Sequence, residues 1–105
     1  MKDNRERFEP LECLLPCERE DAVSMTELAE VMEISPRELR QFILDARMEG
    51  LLILSGTKGY WESDDEREVE EYICERMEVV KTIVSYTEAM KKALQRRRES
   101  HNEEK

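Results

Sequence analysis

All three glycines and all three prolines lie before residue 60, and from Ser63 to Arg98 the chain has neither. Nothing in that stretch switches a helix off. Ser63-x-x-Glu66 has the form of a capping box, and Asp64, Asp65 and Glu66 favour the positive end of a helix dipole. Lys91, Lys92 and Arg96–Arg98 suit the negative end. The sequence therefore predicts one helix over 63–98, roughly 50 Å long at 1.5 Å per residue. No small domain can cover a rod of that length. In a chain of 105 residues the remainder is one domain over 1–62, with residues 1–8 flexible, and 99–105 is a flexible tail.

The apolar rhythm of the long helix is that of a seam. Ile73, Val80, Thr87 and Leu94 recur every seven residues; Val69, Ile83 and Met90 hold the companion positions, with Arg76 the misfit. Tyr72, Val79, Val84 and Tyr86 widen the stripe, enough for contact with both the chain's own domain and a second chain. The expectation is a homodimer through Ile73, Val80, Ile83, Thr87, Met90 and Leu94. A simpler alternative packs only the first half of the helix and leaves the rest solvated. Helix orientation stays open.

Within 1–62, two short helical patterns meet at Glu33-Ile34-Ser35. Ser24 and Glu27 form a capping box before Leu28, Ala29, Val31 and Met32, an apolar face. Ser35 caps the second helix, and Pro36 takes its first position, where a missing N–H costs nothing. Leu39, Phe42, Ile43 and Ala46 recur at i, i+3, i+4 and i+7, so one stripe is buried. Gly50 is placed to end that helix. Leu51–Leu54 reads as a strand, Ser-Gly-Thr-Lys-Gly as a turn, and Tyr60-Trp61 as the returning strand, one of the two aromatics facing inward. Upstream, Leu11, Leu14 and Leu15 line a short helix that Pro16 ends. Ala22-Val23-Ser24 is a candidate third strand.

Helix, tight turn, helix and hairpin in this order resemble the winged helix-turn-helix proteins, namely biotin-repressor-like modules and small regulators of phages and mobile elements. About 40 residues carry the likeness: Leu28-Ala29, Ile34-Ser35, Leu39, Phe42 and Gly59-Tyr60. Glu33 departs from it, standing at a turn position where such motifs often have Gly. A non-Gly residue in left-handed geometry there costs roughly 1–2 kcal/mol. The fold class expected is mainly α with a small β-hairpin wing, a winged helix-turn-helix followed by a long C-terminal helix.

The resemblance implies double-stranded DNA as the partner. Opposite the buried stripe, the second helix carries Arg37, Arg40, Gln41, Leu44 and Arg47. Arg grips guanine and Gln grips adenine bidentately, so Arg37, Arg40 and Gln41 are base-reading candidates. Ser35 and the helix start suit phosphate; Thr57 and Lys58, at the wing tip, suit a flanking phosphate or the minor groove. The bland alternative is a solvated face on which Glu38, Asp45 and Glu49 pair with the arginines.

Charge complicates DNA binding, because the net charge is −9 and phosphate neutralisation drives affinity. The excess is unevenly spread. Residues 62–88 hold ten acids against three bases, whereas 89–105 hold six bases against three acids. An acidic surface of that kind leaves a second reading, a winged helix that docks a basic protein and binds no DNA. Cys13, Cys17 and Cys74 are odd in number, match no zinc spacing and fit free thiols in a reducing cytoplasm. No apolar run is long enough for a membrane span. A single histidine and no phosphate loop or nucleophile–base set leave no expectation of an enzyme, a cofactor or a small-molecule substrate.

Overall fold

The computed structural model describes residues 4–103; the outermost parts of the two expected flexible ends, 1–3 and 104–105, lie outside the described residues. The chain is mainly helical, with a two-stranded antiparallel hairpin and a long C-terminal helix. Its helices are α1 (Glu9–Leu14), α2 (Met25–Met32), α3 (Pro36–Met48) and α4 (Glu66–Glu103), and its strands are β1 (Ile53–Gly56) and β2 (Gly59–Glu62). Short 3-10 turns, Asn4–Phe8 and Arg19–Asp21, precede α1 and α2. The chain divides into two units, 1–69 and 70–105.

The core of the first unit is built from Phe8, Leu11 and Leu15 against Leu28, Ala29, Leu39, Ile43, Ala46, Leu51 and Ile53. Phe8 and Leu11 are fully buried, so the flexible segment expected over 1–8 does not reach Phe8. Its ring packs on Phe42 with centroids 5.1 Å apart. An aromatic ring is worth more as core than any charged neighbour is as solvated chain. Leu15 is extended, as the residue before Pro16 should be. Leu14 is exposed and does not join the other two leucines.

Both caps around α2 and α3 form as their residue types dictate. Ser24 Oγ accepts from the Glu27 N–H at 3.2 Å, and Ser35 Oγ from the Glu38 N–H at 3.1 Å. α2 buries Leu28 and Ala29 with Met25 and Met32 at the edge of the core, but Val31 is exposed. The spacing explains the correction: Val31 lies about 100° round the helix from Met32. Between the helices Glu33 is left-handed, φ 58° and ψ 40°. The Ile34 N–H reaches back to the Ala29 carbonyl and the Glu33 N–H to that of Glu30, each at 3.1 Å, a Schellman cap. Gly50, φ 99°, ends α3 in the same way, with the Leu51 N–H on the Ala46 carbonyl at 3.0 Å.

Ile53 pairs with Glu62 and Leu54 with Trp61, so the hairpin has two buried sides. Ile53 and Tyr60 face the main core; Leu54 and Trp61 occupy the other face, where the Trp61 Nε1–H donates to Glu68 at 2.9 Å. The expected third strand is a single bridge. Val23 and Tyr60 exchange both backbone hydrogen bonds, at 3.0 and 2.8 Å. Gly59 makes room for it, since a Cβ there would stand 2.1 Å from the Val23 oxygen.

α4 begins differently from the expected capping box. Asp65 is the cap, its Oδ1 accepting from the Arg67 and Glu68 N–H groups at 3.0 and 3.4 Å. Ser63 is buried and donates to Glu68 Oε1 at 2.6 Å. The far end also differs, because helix continues past Arg98 to Glu103. Every residue there is helix-competent, and Gln95 donates to Glu99 at 3.4 Å one turn on. From residue 70 onward no described residue is buried; Tyr72 and Thr87 alone are partly covered.

Candidate nucleic-acid interface

α3 presents two opposed stripes. Leu39, Ile43 and Ala46 are buried, while Arg37, Arg40, Gln41, Leu44 and Met48 are exposed. The exposed set falls at i, i+3, i+4, i+7 and i+11 of the same helix, so the five side chains share one face. Pro36 sets the start of that face, and the Ser35 hydroxyl takes up the Glu38 N–H at its N-terminal end.

The seven residues singled out for DNA contact divide by how far the fold already uses them. Among the described residues the side chains of Arg37 and Arg40 make no hydrogen bond or ion pair, and neither do those of Thr57 and Lys58 at the hairpin tip. All four are exposed. The carboxylates that might have neutralised the two arginines are engaged elsewhere. Glu38 accepts from the Ser35 hydroxyl at 3.2 Å, and Asp45 binds Arg7 at 3.2 Å and Gln41 at 2.9 Å. Glu49 is also engaged.

Ser35, Gln41 and Arg47 are committed in the free chain. The Ser35 hydroxyl works as the α3 cap, and the Gln41 amide donates to Asp45. Arg47 is the most tied, with Nε donating to the Ile53 carbonyl at 2.8 Å and Nη2 to Ser55 Oγ at 3.4 Å. It is half-buried and joins α3 to β1. Of the seven, it is the one whose first role is to hold the hairpin on the helix.

The hairpin tip brings in a cation that sequence reasoning passed over. Arg19 lies with its guanidinium 5.8 Å from the Trp61 ring centroid and lines a shallow cleft of about 210 Å³ with Lys58, Thr57 and Gly56. No pattern in Arg19-Glu20-Asp21 announces it; only the fold of the chain over β2 brings it there. On the other side of the hairpin, Ser24, Met25, Ser55 and Tyr60 line a second shallow cleft of about 240 Å³.

A third concavity is chemically distinct. Met32, Ile34 and Phe42 form the floor of an open groove of about 360 Å³, rimmed by Arg7, Glu38 and Asp45. It suits an apolar side chain rather than a phosphate. The three cysteines are free and exposed. No helix among the described residues is long and apolar enough to cross a membrane.

On α4 the expected seam is in water. Ile73, Val80, Ile83, Met90 and Leu94 are each between 42% and 64% exposed, values that leave room for a partner along the whole row. Thr87 is half-covered by its own helix, its hydroxyl donating towards the Ile83 and Val84 carbonyls at 2.7 and 3.0 Å. Arg76 lies across Tyr72, Nε donating to the phenol oxygen at 3.1 Å. No family model, curated protein or solved structure matches this chain.

Proposed function

We propose that residues 24–62 are a winged helix-turn-helix that binds duplex DNA, with α3 as the recognition helix and the β1–β2 hairpin as the wing. The observation that carries this reading is the pair Arg37 and Arg40, exposed on one helix face and unneutralised by Glu38, Asp45 or Glu49. Two guanidiniums held free at the N-terminal half of a helix suit guanine edges in a major groove. Lys58 and Arg19 at the wing add phosphate contacts. The left-handed turn at Glu33 and the tight α2–α3 packing agree with the motif. The protein then acts as a small regulator, or as an accessory factor in replication or recombination of a phage or mobile element.

Two copies act together through α4. A helix with no buried residue over more than thirty positions, yet with an apolar row along it, gains no core packing from its own chain. Burying one Ile or Val is worth about 1.5–3 kcal/mol, so the row supplies the drive to pair.

A second reading has its own observations, the Met32–Ile34–Phe42 groove and the acid-rich stretch 62–88. On that reading the domain docks a protein and the arginines are solvated. Fluorescence anisotropy with a labelled random-sequence duplex, titrated between 50 and 200 mM salt, separates the two. Binding that weakens with a log–log slope of about −0.9 per phosphate contact supports DNA. No binding at the lower salt removes the DNA reading.

A further inference from the structure

Arg7 lies outside the helix-turn-helix, in the 3-10 turn Asn4–Phe8, yet its side chain is held against α3. Burial of Phe8 against Phe42 pins the turn there. The guanidinium stands over both rings, 5.3 Å from the Phe8 centroid and 5.5 Å from that of Phe42. Aromatic faces attract a cation so placed, and they keep Arg7 where its Nη2 meets Asp45 Oδ2 at 3.2 Å. The other oxygen of the same carboxylate, Oδ1, accepts from Gln41 Nε2 at 2.9 Å. Cation, carboxylate and amide form one connected set that ends on the exposed face of α3.

That set fixes which way round the Gln41 amide sits. A primary amide carries two N–H donors on its nitrogen and an acceptor oxygen. One N–H is taken by Asp45. Turning the amide over would set Oε1 against Oδ1, two acceptors with no proton between them. Gln41 is exposed, and it has one donor and one acceptor left for a ligand. Adenine offers the complement in the major groove, an N6–H donor beside the N7 acceptor. Guanine offers two acceptors, O6 and N7, one of which would face the Gln41 oxygen. Arg7 completes the device by charge. A lone carboxylate one turn from a DNA-reading face repels phosphates; with a guanidinium on Oδ2, Asp45 serves Gln41 without opposing the duplex. We infer that Arg7 is a positioning residue for base readout by Gln41, holding its amide through Asp45 in the orientation that accepts adenine and rejects guanine. This rests on the DNA reading above and goes beyond it, in the base chosen and in a residue outside 24–62 that sets the choice.

The test uses the full chain. Selection from a random duplex pool, run with the unmodified protein and with Gln41→Ala, finds the base pair whose preference depends on Gln41. Duplexes carrying each of the four pairs at that position are then titrated with Asp45→Asn, Arg7→Gln and Arg7→Gln combined with Gln41→Ala. The unmodified chain is expected to favour adenine over guanine there by roughly 5- to 150-fold, the range of one bidentate base contact. Asp45→Asn and Arg7→Gln should each shrink that ratio several-fold and leave preferences at the other pairs unchanged. Arg7→Gln should add nothing to base preference once Gln41 is Ala. No Gln41-dependent pair, a preference for guanine, an unchanged ratio in both single variants, or an equal loss at all pairs overturns the inference and leaves DNA binding standing. Absence of duplex binding by the unmodified chain at about 50 mM salt overturns both. Either single variant suffices once its near-ultraviolet spectrum shows it folded. A second readout needs no DNA: Arg7→Gln is expected to shift the side-chain amide signals of Gln41 in the magnetic resonance spectrum and to leave those of Gln95 in place. Unmoved Gln41 signals overturn the inference.

Discussion

Arg47 donates to the Ile53 carbonyl across the junction of α3 and β1, at 2.8 Å, while the Arg40 side chain two turns earlier makes no hydrogen bond or ion pair among the described residues. Two arginines on one helix therefore answer to different physics. Arg47→Ala removes a charge-assisted hydrogen bond to a half-buried carbonyl and is expected to destabilise the fold by about 1.5–3 kcal/mol. Thermal unfolding checks it. Arg47→Lys is expected to recover only part of the loss, because an ammonium lacks the planar fork that reaches Ile53 and Ser55 together.

Arg40→Ala is expected to leave the unfolding temperature unchanged and to cost about 1–3 kcal/mol at a preferred DNA site, with relaxed preference at one base pair. Lys58→Ala is expected to weaken binding evenly across sequences and to reduce the salt slope by about one unit. Selection from a random duplex pool, repeated with both variants, measures the difference. Equal, sequence-independent losses would mean that Arg40 meets phosphate only.

Gly59 and Glu33 make opposite predictions about backbone strain. Gly59 has φ 129°, and a Cβ on it would meet the Val23 carbonyl. Gly59→Ala is expected to break the Val23–Tyr60 bridge, seen as faster hydrogen exchange at the Tyr60 amide and a loss of 2 kcal/mol or more, on the order of two lost hydrogen bonds plus strain. Glu33 already sits at φ 58°. Glu33→Gly is expected to stabilise by on the order of 0.5–1 kcal/mol, as relief of roughly 1–2 kcal/mol outweighs the extra freedom of the unfolded chain. Denaturant unfolding of the two variants should move in opposite directions.

What could be read from the sequence is what short-range chemistry decides. Ser24, Ser35 and Pro36 act at the positions their side chains suit, and Gly50 stops α3 where its φ requires no Cβ. Tyr60 and Trp61 do alternate across the strand, but neither faces outward: Trp61 is buried on one face and Tyr60 packs on the core from the other. Misreadings came where a long-range contact outbid a local signal. Phe8 looked like part of a charged end, but Phe42, 34 positions on, gives it a partner. Ser63 looked like the α4 cap; its hydroxyl donates instead to Glu68 Oε1, the oxygen that also accepts from the Trp61 Nε1–H, and Asp65 caps. Arg47 was one of several exposed basic residues until the strand arrived beside it. The free state of Arg37 and Arg40 was not legible either, since it depends on where Arg7 and Ser35 draw Asp45 and Glu38.

Ile83→Asp separates assembly from recognition. Ile83 is 42% exposed on a stretch of α4 that buries nothing of its own. A carboxylate there is expected to leave the first unit folded, with the same near-ultraviolet spectrum from Trp61, and to halve the mass in solution. Its effect on DNA then depends on how many half-sites the duplex offers. A single half-site needs one recognition helix, so its affinity should be unchanged. Two half-sites joined at the dimer's spacing gain from linkage, since the second contact is made at the effective concentration set by the first. That advantage is on the order of 10²–10⁴-fold and is lost with the seam. Equal affinity of the intact chain for one and two half-sites, at every spacing tried, would show that α4 plays no part in DNA binding. A drop on the single half-site in Ile83→Asp would instead show that the substitution had reached the recognition domain itself.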